Sequence, residues 1–178
     1  MIKNILISVF LLIASVQITI ATTKNDPPSN QTEKDPTRLA ELDNYWDQIS
    51  KVVRDGDIEG YRATYHKDAV IIFATGNNKT SVSLSTALEG WKKGFQDTKD
   101  GKIKANVEFR FSQRIGNETT AHETGIFRYS STDTTSKKTE SYIIHFEMLL
   151  VKRTNKWYGV MEYQKSIATQ KEWDALKK

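Results

Sequence analysis

Residues 102–165 read KIKANVEFRFSQRIGNETTAHETGIFRYSSTDTTSKKTESYIIHFEMLLVKRTNKWYGVMEYQK, and their patterning decides the fold. Ile103, Ala105, Val107, Phe109 and Phe111 alternate with Lys104, Asn106, Glu108, Arg110 and Ser112. A period of two sends successive side chains to opposite faces, so this is a strand with one apolar and one polar face. Gly116-Asn117 breaks it, and a second strand spans about 119–131. The polar run 130–138 makes a hairpin into a third strand, 140–153, which Thr154-Asn155 joins to a fourth, 157–165. These strands follow one another too closely for crossover helices, which argues against a parallel α/β architecture and for an antiparallel sheet.

Upstream the period changes. Asp35 followed by Pro36 is a helix N-cap with a first-turn proline. Leu39, Leu42, Trp46, Ile49, Val52 and Val53 then recur at helical spacing as far as Asp55-Gly56. Asp57 caps a shorter helix carrying Ile58, Tyr61 and Tyr65. Residues 69–74 read as a buried strand, Gly76-Asn77-Asn78 as a turn, and 85–97 as a third helix with Leu88, Trp91 and Phe95 on one side. A short helix, about 168–176, ends the chain. The order α, α, β, α and four strands predicts an α+β fold: a curved antiparallel sheet wrapped around about three helices.

The 178 residues contain no cysteine, which excludes a disulfide framework, a thiol nucleophile, a cysteine-ligated metal and a lipoprotein anchor. A net charge of +4 is too mild to argue for nucleic acid. Residues 1–21 have one cation, Lys3, an aliphatic run from Ile5 to Ile20, and small residues at Thr19 and Ala21. They read as a signal peptide cleaved after Ala21, giving a secreted or periplasmic protein with no membrane association afterwards; an uncleaved anchor is the competing reading. Residues 22–36 hold all three prolines and no apolar period, and read as a disordered linker before a domain at 37–178. Asn30, Asn78 and Asn117 open N-x-Thr sequons, to which no function is attached.

Several motifs recur in a fixed order: Arg54-Asp55-Gly56-Asp57, Tyr61 to Tyr65, His66-Lys67-Asp68-Ala69-Val70, Trp91, Ile115-Gly116 before Thr120-Ala121, and Val151-Lys152-Arg153 before Lys156-Trp157. Over residues 38–166 the chain resembles the NTF2-like superfamily, specifically its SnoaL-like and DUF4440-type members related to ketosteroid isomerases. The resemblance implies a cone with a cavity at its open end. Relatives use such cavities to isomerise, cyclise or dehydrate hydrophobic small molecules, while others only bind or assemble. Ketosteroid isomerases need a carboxylate base on the first strand and an oxyanion hole of a tyrosine and a protonated acid. The matching positions hold Ile72 and Phe73 for the base and Ile49 for the tyrosine, and the acid falls near Ile144 or His145. A standard ketosteroid isomerase mechanism is therefore rejected.

Acid/base chemistry of an isomerase, cyclase or lyase type on a small hydrophobic substrate then needs other groups. His145 and Glu147, two apart, share a strand face, and His122 lies on the hairpin partner, with Arg110, Glu162 and Gln164 on flanking strands. A histidine beside a carboxylate can move a proton near neutral pH, so His145, Glu147 and His122 are the candidate catalytic residues. Two other readings stand beside this one: structural hydrogen-bonded pairs, and a metal site for which no ligand spacing is present. No cofactor or metal is assigned. Trp46, Ile49, Tyr61, Tyr65, Phe73, Trp91, Phe95, Phe109, Phe127 and Tyr163 are core residues that in a cone can also line a pocket for a flat or apolar ligand. The alternative function is a noncatalytic ligand-binding or dimerisation module. The strand 140–153 is apolar in both registers, with Ile143, Leu149 and Val151 on the second face. That face is expected to meet a second subunit, giving a homodimer.

Overall fold

The computed structural model describes residues 35–176; the predicted signal peptide and nearly all of the predicted linker lie outside the described residues. The elements are α1 (Pro36–Asp55), α2 (Ile58–Arg62), β1 (Tyr65–Phe73), β2 (Thr80–Ser83), α3 (Leu84–Lys99), β3 (Ile103–Gly116), β4 (Thr120–Asp133), β5 (Thr139–Arg153), β6 (Lys156–Ile167) and α4 (Gln170–Ala175). One six-stranded sheet runs β2-β1-β6-β5-β4-β3. Its edges do not close on each other, and register shifts in β3 and β6 mark the bulges that bend it around the helices.

Two expectations change. The sheet is mixed, because β1 lies parallel to β6 while the other neighbours are antiparallel. Periodicity reports which face a side chain takes and says nothing of strand direction. The long excursion through α3 and four strands lets β6 return beside β1 in the same sense. The segment after Asn78 also holds a strand, β2, whose sequence Thr-Ser-Val-Ser lacks the apolar alternation that would reveal it.

Helix α1 begins as its sequence requires. The Asp35 carboxylate accepts from the backbone N–H groups of Thr37 and Arg38 at 2.9 and 3.1 Å, with Pro36 in the first turn. It ends at Gly56, whose φ of 66° is left-handed. A Cβ there would lie 2.6 Å from the Phe95 carbonyl oxygen, so glycine is required both by conformation and by the approach of α3. The apolar stripe of α1, with Leu42, Trp46, Ile49 and Val53, lies in the concave side of the sheet. There it meets Ala105 and Val107 of β3 and Phe146, Met148 and Leu150 of β5. Each such aliphatic or aromatic side chain contributes about 2 kcal/mol on burial.

At one end of this core lies a buried ionic network. The Glu123 carboxylate, fully buried, accepts from Arg114 Nε at 2.7 Å and from Trp46 Nε1 at 3.2 Å. Arg114 also pairs with Asp43 at 2.6 Å, and the buried Arg38 donates to the Arg114 carbonyl. Burial pushes the Glu123 carboxyl up, against the pull of Arg114 and Arg38.

The convex face is partly covered by α4. Trp173, buried with Ile126 and Ala168 and packed beside Ile143, lies under the guanidinium groups of Arg110 and Arg128, each 4.3 Å from its ring centre. Ile143 is thus covered by the chain's own terminal helix. Leu149, on the uncovered part of the same face, remains 41% exposed.

Candidate functional site

A cavity of about 430 Å³ opens between the concave sheet face and α1, α2 and α3. Of the predicted pocket residues, Trp46, Ile49, Tyr61, Tyr65, Trp91, Phe95, Phe109 and Phe127 line it. Phe73 packs behind the wall with its ring 6.0 Å from that of Trp91, and Tyr163 points to the convex face, where Lys165 lies over its ring. Gly90 and Gly94 of α3 also line the cavity, and a Cβ added at either would meet nothing within 4 Å. These two glycines leave space that neither helix geometry nor packing demands.

Four residues build a connected polar cluster in the wall. Glu162 of β6, 7% exposed, borders the cavity and accepts a short hydrogen bond from the Tyr65 hydroxyl at Oε2. Gln164 Nε2 donates to Oε1 at 2.8 Å, and the Tyr61 and Tyr65 hydroxyls lie 3.1 Å apart. The chain Tyr61, Tyr65, Glu162 therefore runs from α2 through β1 to β6. Burial pushes the Glu162 carboxyl up, while the bonds from Tyr65 and Gln164 pull it part of the way back. Burial and then the neighbouring Glu162 charge raise the Tyr61 and Tyr65 hydroxyls, so both stay protonated and act as donors at neutral pH.

Why Glu162 and Gln164 face inward follows from one residue. In β6, Trp157 and Gly159 lie on the concave side, and Gly159 pairs with Leu150 while Met161 pairs with Leu149. Val160 is left over as a bulge, which inverts the alternation beyond it and turns positions 162 and 164 toward the cavity. Gly159 makes room for this: a Cβ there would lie 2.9 Å from the Tyr65 ring and collide with Met148.

The three predicted catalytic residues lie elsewhere. Ile144, Phe146 and Met148 take the concave face of β5, so the intervening His145 and Glu147 point outward, and His122 points outward from β4. His122 Nε2 lies 3.1 Å from Glu147 Oε2, and Lys165 Nζ lies 2.5 Å from Glu147 Oε1. Those two bonds, Lys165 first, hold Glu147 below the usual carboxylate range. His145 is separated from this pair and meets Glu172 of α4 at 3.3 Å. The sequence thus brings His122 and Glu147 together, but none of the three borders the cavity. Of the residues that sequence reasoning placed only on flanking strands, Glu162 and Gln164 do border it. Among the described residues no cluster of three or more His, Cys, Asp or Glu side chains is arranged to hold a metal ion, and no helix is long and apolar enough to cross a membrane.

No family model matches the chain, and no curated protein sequence matches it. Solved structures do. Aln2 from a Streptomyces species superposes with a TM-score of 0.61 at 12% identity, covering 74% of this chain and 91% of that one. A ketosteroid isomerase-like protein from Erwinia carotovora atroseptica gives 0.53 at 13% identity over 75% and 99% of the two chains. An NTF-2 like protein of unknown function from Shewanella oneidensis gives 0.52 at 13% identity over 72% and 99%. These likenesses establish the cone architecture.

Proposed function

We propose that this chain, an α+β protein of the NTF2-like fold, binds a small, mostly apolar molecule in its cavity and moves a proton on it with Glu162. The observation that carries the reading is a buried carboxyl, raised by desolvation, at the wall of a largely aromatic cavity and held in one orientation by Tyr65 and Gln164. A carboxyl of that kind is a better base than an exposed one, because its proton affinity is closer to that of the groups it must deprotonate. The ionised form takes a proton from the bound molecule and returns it to a second position, while the Tyr65 hydroxyl, itself hydrogen-bonded to Tyr61, holds the carboxylate in place. This is the proton bookkeeping of an isomerase. It uses none of the positions of a standard ketosteroid isomerase, since Ile49 lines the cavity without a polar atom.

The test uses 2-tetralone, a flat cyclic ketone with acidic C–H groups, and follows deuterium exchange at its α-carbon by NMR. The protein is expected to accelerate exchange and Glu162→Gln to abolish the acceleration; acceleration unchanged in Glu162→Gln overturns the assignment. Saturable quenching of Trp46 and Trp91 fluorescence without exchange favours the second reading, a noncatalytic ligand-binding module.

A homodimer is part of the proposal, supported by the cross-strand row Ile115, His122, Leu149, Met161 and Val70 on the convex face that α4 leaves uncovered. Sedimentation equilibrium showing only monomer at micromolar concentration would remove it. Export through residues 1–21 is likewise proposed from the leader pattern, and an N-terminus at Thr22 in the exported protein is the expected result.

A further inference from the structure

Among the described residues, no cation lies beside Glu162. Its partners are a tyrosine hydroxyl and a glutamine amide, and the titratable groups that feel its charge are Tyr45 of α1, Tyr61 of α2 and Tyr65 of β1, all neutral at pH 7. A carboxylate buried without a counter-charge is strongly disfavoured unless something supplies one. The surroundings suit a particular supplier. Tyr61 stands with its ring 5.3–5.7 Å from those of Tyr65, Trp91 and Phe95, and all four border the cavity with Glu162. Aromatic faces attract cations through their quadrupoles, and more strongly where water is excluded.

Resting on the reading of the cavity as a ligand site, we propose that its natural ligand carries a protonated amine, which pairs with ionised Glu162 among the rings of Tyr61, Trp91 and Phe95. The apolar remainder of the ligand occupies the space toward Trp46, Phe109 and Phe127, where no charged side chain of the described residues borders the cavity. The nitrogen neutralises Glu162 and lies against the rings, so one group on the ligand satisfies both features.

The experiment compares two probes of nearly equal shape, 1-naphthylmethylamine and 1-naphthylmethanol, titrated into the full protein by calorimetry at pH 7.5. The amine is expected to bind at least tenfold tighter than the alcohol, the scale of one charge-assisted contact. Glu162→Gln is expected to erase that preference, with a far-UV circular dichroism spectrum matching that of the parent protein showing that the variant is folded. The preference is further expected to weaken as the pH falls toward 5, since protonation of Glu162 removes the charge. Equal or weaker binding of the amine with clear binding of the alcohol overturns this inference and leaves the cavity as a ligand site. Binding of neither probe overturns both.

Discussion

Glu123 and Glu162 invite comparison because they occupy the same row of the sheet: Glu123 pairs with Met148, and Met148 pairs with Glu162. Both carboxyls are buried on the concave side, and burial raises both. Their company differs. Glu123 sits among Arg114, Arg38 and the Trp46 indole, away from the cavity lining, while Glu162 has only neutral donors among the described residues and borders open space. The first is a fastening, since its charge is answered by the protein. The second, in the function proposed above, is left for a ligand to answer. Burial alone therefore does not identify a functional carboxylate; the absence of a counter-charge at a cavity wall does.

The largest effect that would test this contrast comes from Glu123→Gln. It leaves the guanidinium groups of Arg114 and Arg38 short of their buried partner and is expected to cost about 3 kcal/mol in urea denaturation. A loss under about 1 kcal/mol would mean that the network is not a fastening. Glu162→Gln should behave in the opposite way. Its folded-state carboxyl is raised above the ordinary value near 4.5, so its stabilising neutral form is fully present below that pH and is lost as pH rises through the raised value. Glutamine stays neutral, so the variant is expected to match the protein at pH 4 and exceed it by about 1 kcal/mol at pH 8. A variant less stable at pH 8 would show that Glu162 too is structural. The smallest effect belongs to the cavity wall opposite. Gly94→Ala should raise stability by about 0.5–1 kcal/mol by improving helix propensity while weakening 1-naphthylmethanol binding, because its methyl group enters the vacant space. Stabilisation without any loss of binding would put the ligand away from α3.

The fold was legible wherever periodicity and capping chemistry were uninterrupted. Asp35-Pro36 and Gly56 delimit α1 as the sequence indicates, and β3 alternates cleanly over its first half. The short β2 escaped because Thr80 to Ser83 carry one apolar residue, and the parallel pairing of β1 with β6 escaped because strand direction leaves no mark in composition. The cavity aromatics of α1 and α3, Trp46, Trp91 and Phe95, were legible, since those helices must turn their apolar faces to the sheet, whereas Tyr163 was assigned to the wrong face of β6. The polar partner of these aromatics was not legible. Read with strict alternation from Trp157, Met161 and Tyr163 belong inside and Glu162 and Gln164 outside; the bulge at Val160 reverses this. Gly159 in the middle of a strand was the available signal. The same strictness misdirected attention to His145 and Glu147, which share a face as expected, but the face that turns away from the cavity.

The extra residue at Val160 has an implication for how such a protein changes over time. What the cavity contains depends on the register of β6 as much as on the identities of its residues. Deleting Val160 would make the pairing regular and leave Glu162 opposite Met148, facing the cavity, whereas a one-residue slip that takes Val160 into the ladder would bring Met161 and Tyr163 inward and turn Glu162 and Gln164 outward with every side chain retained. A shift of register at this one point is thus a route by which a lineage could trade a polar cavity for a greasy one in a single step. Related chains aligned without regard to it would be credited with a shared glutamate that in fact serves opposite sides of the sheet.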